Sequence, residues 1–292
     1  MKTITLLILT GLFSLGGSCT SKLNSNHLSK NQETGFPFFF AINSVAACCF
    51  FLIEGGFRLS VNLPTLLYSV LYAGVVVLSI FSNLKALQAA EISNVNVASG
   101  AGTLLLTSAV GFLFFQESLT LVKVLRILLM LAGTLLIFLE RRTKKGVRRG
   151  FLPALLGVLA ASLANTLVLK FYANTPNVAD DSSFFFWTNA VLLFAALLWL
   201  MLRQLRSPIS LKEYSFLLKP RCLIPFVGNT VCSNVGSLLS LQLVARLDIS
   251  ILSPLTGAIG CTVNLLASLI FKEKLGICSY LAAALALIAV II

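Results

Sequence analysis

Apolar stretches of about twenty residues recur along the whole chain, separated by short polar or charged breaks. That is the length an α-helix needs to cross the hydrocarbon core of a bilayer, where each backbone polar group must be satisfied within its own segment. The competing explanation is a soluble protein with a large core, and composition argues against it. Of the 292 residues, 58% are hydrophobic and 11% charged, and the mean hydropathy is +0.95. Soluble domains carry roughly 25% charged residues, so this chain cannot furnish a polar shell for its own length. The predicted fold class is therefore all-α, a polytopic membrane protein.

Turn residues and charges mark out ten transmembrane helices, predicted at 3–20, 36–57, 64–88, 92–115, 119–140, 150–172, 183–202, 222–245, 249–271 and 275–292. Connections such as Ala89–Glu91 and Gln116–Ser118 are short enough to require antiparallel hairpins. Three breaks are longer: the polar stretch SKLNSNHLSKNQETG at 21–35, the basic RRTKKGVRR at 141–149, and 203–221 with Arg203, Arg206, Lys212, Lys219 and Arg221. The opening MKTITLLILTGLFSLGGSC also has the make-up of a cleaved signal. Gly16 stands where a lipoprotein signal normally has leucine, three places before the Cys. A retained helix is the expectation, because it supplies the sixth predicted helix with a counterpart.

The sequence repeats weakly. Shifted by 156 residues, the interval from Glu117 to Glu273, Phe115 falls on Phe271 and Leu119 on Leu275, so F-x-E-x-L occurs twice, each time between two predicted helices. The basic linker 141–149 then separates a first half, 1–140, from a second, 150–292, with five predicted helices in each. Five is odd, so the second half starts from the opposite side of the membrane. That is an inverted-topology repeat, an arrangement that places a substrate site near the midplane of many secondary transporters. Glu117 and Glu273 each open a helix, where a carboxylate faces unpaired N–H groups and the positive end of the helix dipole. They are expected to be hairpin caps.

Ten helices as five plus five, with F-x-E-x-L before the fifth and the tenth, resembles the drug/metabolite transporter superfamily, EamA-type. The stretch ISILSPLTGAIGCTVNLLASLIFKEKLGICSYLAAALALIAVII carries most of the likeness, with a Ser-Pro opening the ninth helix and the acidic turn before the tenth. The fourth predicted helix departs from it, with Asn96, Val97 and Ala98 in the place of the Ser-Pro. The resemblance implies transport without specifying a substrate. Small multidrug exporters of the superfamily use a midmembrane glutamate in their first helix; the first helix here has no acid, so that mechanism does not carry over.

Ionisable residues in lipid are costly unless paired or facing a cavity, and most here fall near predicted helix ends. Lys22 and Lys170, near the ends of the repeat-related first and sixth helices, are candidate binding groups for an anionic part of a solute, with snorkelling anchors as the alternative. Asn43, Tyr72, Ser79, Asn165, Asn189, Asn234 and Asn264 lie deeper. The candidate substrate-binding set is Lys22, Asn43, Tyr72, Asn165, Lys170, Asn189, Asn234 and Asn264, because amides and hydroxyls offer both donors and acceptors. Each could instead bond one helix to another. Ser99–Gly102, Pro254, Gly257, Ala258 and Gly260 suit close helix packing.

No catalytic constellation emerges. His27 is the only histidine, which excludes a histidine triad within one chain, and there is no CxxC pair among the seven cysteines. Asp180 and Asp181 read as a solvated acidic turn. No metal or other cofactor is expected. The net charge of +12 comes from basic residues in loops beside helices, so it bears on membrane orientation rather than nucleic-acid binding. The partners expected are the lipid bilayer and a small-molecule substrate, with a homodimer left open. The resulting expectation is a multi-pass secondary transporter of the cell (plasma) membrane for a small polar metabolite or drug-like solute. Its alternatives are a nucleotide-sugar or sugar-phosphate exchanger and, from another class, an intramembrane enzyme or sensor. If Glu117 and Glu273 are caps, Glu117→Gln and Glu273→Gln lower yield or stability, and the surviving protein transports with the pH dependence of the parent. Normal yield with a lost pH dependence contradicts the cap.

Overall fold

A computed structural model describes residues 3–28, 32–89, 120–141, 151–206 and 219–247, with single residues between 103 and 112 and between 252 and 288. Every element among them is an α-helix: α1 Thr3–Leu28, α2 Gln32–Glu54, α3 Leu63–Ala89, α4 Leu121–Arg141, α5 Phe151–Asn174, α6 Asp181–Arg206 and α7 Pro220–Arg246. The singly described residues are helical as well. Among the described residues, four segments are long and apolar enough to cross a membrane: Pro37–Glu54, Leu63–Asn83, Leu152–Asn174 and Asp181–Arg206. Many large apolar side chains face outward, Leu63, Leu67, Phe194 and Leu205 among them, as lipid contact requires. The described part is thus all-helical and suited to a bilayer. The predicted helices at 92–115, 249–271 and 275–292 lie largely outside the described residues.

The largest departure from expectation is at the first break. The stretch 21–35 is not one long loop, since α1 runs on to Leu28 and α2 starts at Gln32. Polarity alone suggested a loop, but polar side chains can continue a helix when another helix meets their needs. Asn24, 3% exposed, donates its amide to the Pro225 carbonyl at 3.2 Å.

Contacts group the chain into two units, one of 1–11, 75–173 and 242–292, the other of 12–74 and 174–241. Contact grouping asks which residues touch; a repeat asks which residues correspond, so the units leave the division at 141–149 untouched.

The second unit holds α2, α6, and parts of α1, α3 and α7. α2 packs along α6, with the Phe51 and Phe185 rings stacked at 5.3 Å. Tyr72 of α3 meets Phe184 at 5.4 Å and Phe185 at 5.9 Å. Lipid is as apolar as these rings, so shape and close packing, more than hydrophobic burial, hold them together. α2 ends in a Schellman turn: Gly56 N–H bonds the Ile53 carbonyl and Phe57 N–H the Leu52 carbonyl, at 3.0 and 2.9 Å, with Gly56 at φ 60°. The positive φ is what glycine allows cheaply. α6 begins with a cap. Asp180 accepts from the Ser183 N–H at 3.1 Å and the Ser183 hydroxyl at 2.8 Å, as an N-cap does for a helix's unpaired donors.

In the first unit, Gly157 of α5 lets the backbone approach Ser82 of α3, whose Cβ would lie 3.0 Å from a side chain placed there.

α1 and α7 approach closely within the second unit. A Cβ on Gly16 would lie 2.7 Å from Cys232 Sγ. Gly16→Ala is therefore expected to destabilise the protein by about 1–3 kcal/mol, the cost of overpacking, and Gly16→Ala with Cys232→Ala to recover most of it. Thermal melts in detergent decide: an unchanged Gly16→Ala melt refutes the close approach.

Candidate functional site: a polar seam on α7

Along α7 the residues Asn229, Thr230, Ser233, Asn234, Ser237 and Ser240 follow at three- and four-residue spacing, which sets them along one side of a helix. Three helices of the second unit answer this seam. From α2, Asn43 Oδ1 accepts from the Thr230 hydroxyl. The same hydroxyl also lies 3.0 Å from the Phe226 carbonyl. From α3, the buried Tyr72 hydroxyl bonds Ser237. From α1, the Thr20 hydroxyl lies 3.3 Å from Asn229 Oδ1, and 2.9 and 3.0 Å from its own-helix carbonyls at Gly16 and Gly17. Asn24, one turn on, reaches the Pro225 carbonyl.

One atom in this seam is left over. Asn24 Oδ1 is buried and has no hydrogen-bond partner among the described residues. Leaving a buried acceptor unmet costs about 1–3 kcal/mol. Turning the amide over would not help, because it would set Oδ1 against the Pro225 carbonyl oxygen. Pro225 has no N–H to give the carbonyl one turn before it, at the exposed Arg221.

Of the residues proposed from sequence, the structure brings Asn43 and Tyr72 to α7, which itself carries the half-buried Asn234. Asn189 of α6 spends its amide on its own helix, donating to the Phe185 carbonyl at 2.8 Å. Asn165 and Lys170 belong to the other unit. There Asn165 is half-buried on α5, and Lys170 Nζ donates to the Val244 and Leu247 carbonyls at 3.0 and 3.1 Å. A cation on the last carbonyls of a helix complements its dipole, so Lys170 caps α7 and keeps one further N–H. Lys22 lies on α1, with its side chain outside what is described. Asn264, Glu117 and Glu273 lie outside the described residues. Thr20, Asn24, Asn229, Thr230 and Ser237 were missed; the i, i+4 pair on α1 and the polar spacing of α7 were the signals available.

A second polar cluster sits at one end of the same unit, where the 55–62 and 175–180 connections meet. Ser60 donates to Asp180 Oδ1 at 2.9 Å, Asn62 to the Asn177 carbonyl at 3.1 Å, Trp187 Nε1 to the Ser60 carbonyl at 3.2 Å, and the Ser182 hydroxyl to Glu54. Asp180 is exposed, as a solvated acidic turn requires, and the turn is also held by these hydrogen bonds. No group of three or more His, Cys, Asp or Glu suited to a metal occurs among the described residues.

No family model matches the chain, and no curated protein does. Among solved structures, a protein crystal structure is similar over 99% of this chain and 93% of its own, with a TM-score of 0.67 at 17% identity. At that identity the likeness is one of fold.

Burial pushes the Asp180 carboxyl up, but hydrogen bonds from the Ser183 hydroxyl, the Ser60 hydroxyl and the Ser183 N–H outweigh it and hold the group below its ordinary range. A carboxyl so held stabilises the fold at neutral pH and loses that contribution as pH falls through its folded pKa. Asp180→Asn, which keeps a capping side chain, is therefore expected to melt below the parent at neutral pH, with the gap closing below about pH 4. Parallel curves across that range would show that the charge contributes nothing.

Proposed function

We propose that the protein is a secondary transporter of a small polar solute, working by alternating access, and that it is an EamA-type member of the drug/metabolite transporter superfamily. The observation that carries this is the polar seam: hydroxyls and amides from α1, α2, α3 and α7 meet inside an apolar helical unit. In hydrocarbon such groups are worth keeping only where they bond each other or a solute. Amides suit a neutral or zwitterionic solute, since they bind without requiring a counter-charge. The full architecture in this reading is ten helices as two inverted five-helix repeats, in the cell membrane. The F-x-E-x-L repeat supports it.

In the proposed cycle the bundles rock about the seam, exposing it to one side and then the other. Lys22 attracts an anionic group of the solute, and the Asn-rich seam reads the remainder. Lys170 caps α7 within the other unit, so the probe is Lys22.

Purified protein in liposomes is expected to carry a solute across the bilayer. Lys22→Gln is expected to raise KM for an anionic substrate several-fold while sparing a neutral analogue. Equal losses on both substrates, tracking lower protein levels, would make Lys22 an anchor. Absence of flux for every solute tried would favour the sensor or enzyme reading.

A further inference from the structure

The seam contains one group whose chemistry is unbalanced. Asn24 is 97% removed from solvent, being 3% exposed, and its amide nitrogen is spent on the Pro225 carbonyl. Its carbonyl oxygen has no partner among the described residues. Asn24 Oδ1 is thus a buried, unmet acceptor in the α1–α7 contact. Natural interiors rarely leave such groups unmet, and an exception calls for a missing partner.

We infer that Asn24 Oδ1 is a solute subsite that takes a hydrogen-bond donor, an ammonium, hydroxyl or amide N–H. The inference rests on the transporter reading and narrows it, since it names the part of the solute that α1 and α7 recognise. The selectivity follows from burial. A site built to accept a hydrogen bond rejects the analogue that lacks the donor, because binding that analogue leaves the acceptor unmet in a dry environment. A capped donor also brings a methyl group against a polar oxygen. Beside Asn24 the two helices run close together: a Cβ placed on Gly228 would lie 3.3 Å from Thr20 Cγ2. Water offers the same donor chemistry, and the two occupants differ in what they predict. A resident water predicts no preference among solutes.

The test uses the full chain purified in detergent and thermal shift with matched pairs: alanine and its N-trimethyl derivative, glucose and 3-O-methylglucose, nicotinamide and N,N-dimethylnicotinamide. At least one donor-bearing member is expected to stabilise the protein at concentrations about tenfold or more below its capped partner. Asn24→Leu is expected to abolish that difference. Should Asn24→Leu fail to fold, Asn24→Asp keeps an acceptor in place and adds a charge. It is expected to shift preference toward the alanine pair several-fold. The inference is overturned if both members of every pair act alike, if no member of the panel acts, if Asn24→Leu keeps the parent's preference for donor over capped partner, or if Asn24→Asp leaves the relative strength of the three pairs unchanged. Liposome flux separates the two levels of failure. Flux without donor preference removes the subsite and leaves the transporter; no flux and no shift for any solute removes both.

Discussion

A peptide group in hydrocarbon has no water to bond, and the rest of the structure follows from that. It makes every described element a helix, because a helix satisfies its own backbone. It also puts pressure on the places where helices stop. The end of α2 meets it with a Schellman turn at Gly56 and Phe57. The start of α6 meets it with Asp180. The end of α7 meets it with the Lys170 ammonium on two terminal carbonyls. These three devices use a glycine, a carboxylate and a cation for one problem, each matched to the sign of the groups it must satisfy.

The same constraint governs side chains, and there it separates structure from function. Thr188 and Thr10 turn their hydroxyls onto carbonyls of their own helices, at 2.9 and 2.8 Å. Asn189 does likewise with its amide. Such residues are self-sufficient and ask nothing of a partner. Asn43, Tyr72 and Asn24 are different, because they reach a second helix. Interhelical bonds of this kind are worth about 0.6–2 kcal/mol in a membrane, too little to freeze a helix in place. In the proposed transporter, a seam of weak, exchangeable bonds would suit a path that opens and closes.

Much of the fold was legible because hydropathy and turn residues are local. The ends of α3 and α5 fall within one or two residues of the predicted spans 64–88 and 150–172. The end of α1 was not legible. SKLNSNHL is mostly polar, and the tertiary contact it makes, Asn24 to the Pro225 carbonyl, reaches a residue 201 positions away. The site divides the same way. Asn43 and Tyr72 stood out as polar residues in apolar runs. Asn24 was hidden in a polar stretch, where one more amide carries no signal. Lys170 shows the limit from the other side: a lysine near a helix end has the same local pattern whether it anchors, binds a solute or caps another helix, and only the carbonyls in front of it decide.

Asparagine's prominence over charged residues in the seam bears on the energetics of a transport cycle. A charged group exposed in turn to each side must be desolvated at every passage, at several kcal/mol after relaxation. An amide pays far less, and it can exchange one partner for another because it both donates and accepts. Asn24 in the described state has made one such exchange and left the other unmade, with its nitrogen satisfied and its oxygen not. An arrangement that leaves an acceptor unmet is raised in energy relative to one in which a solute or a shifted helix supplies the donor. That difference is the differential affinity a ligand needs if it is to favour one conformation over another. In the proposed cycle, a donor-bearing solute therefore does more than occupy the seam: by meeting Asn24 Oδ1, it lowers the energy of the conformation that holds it.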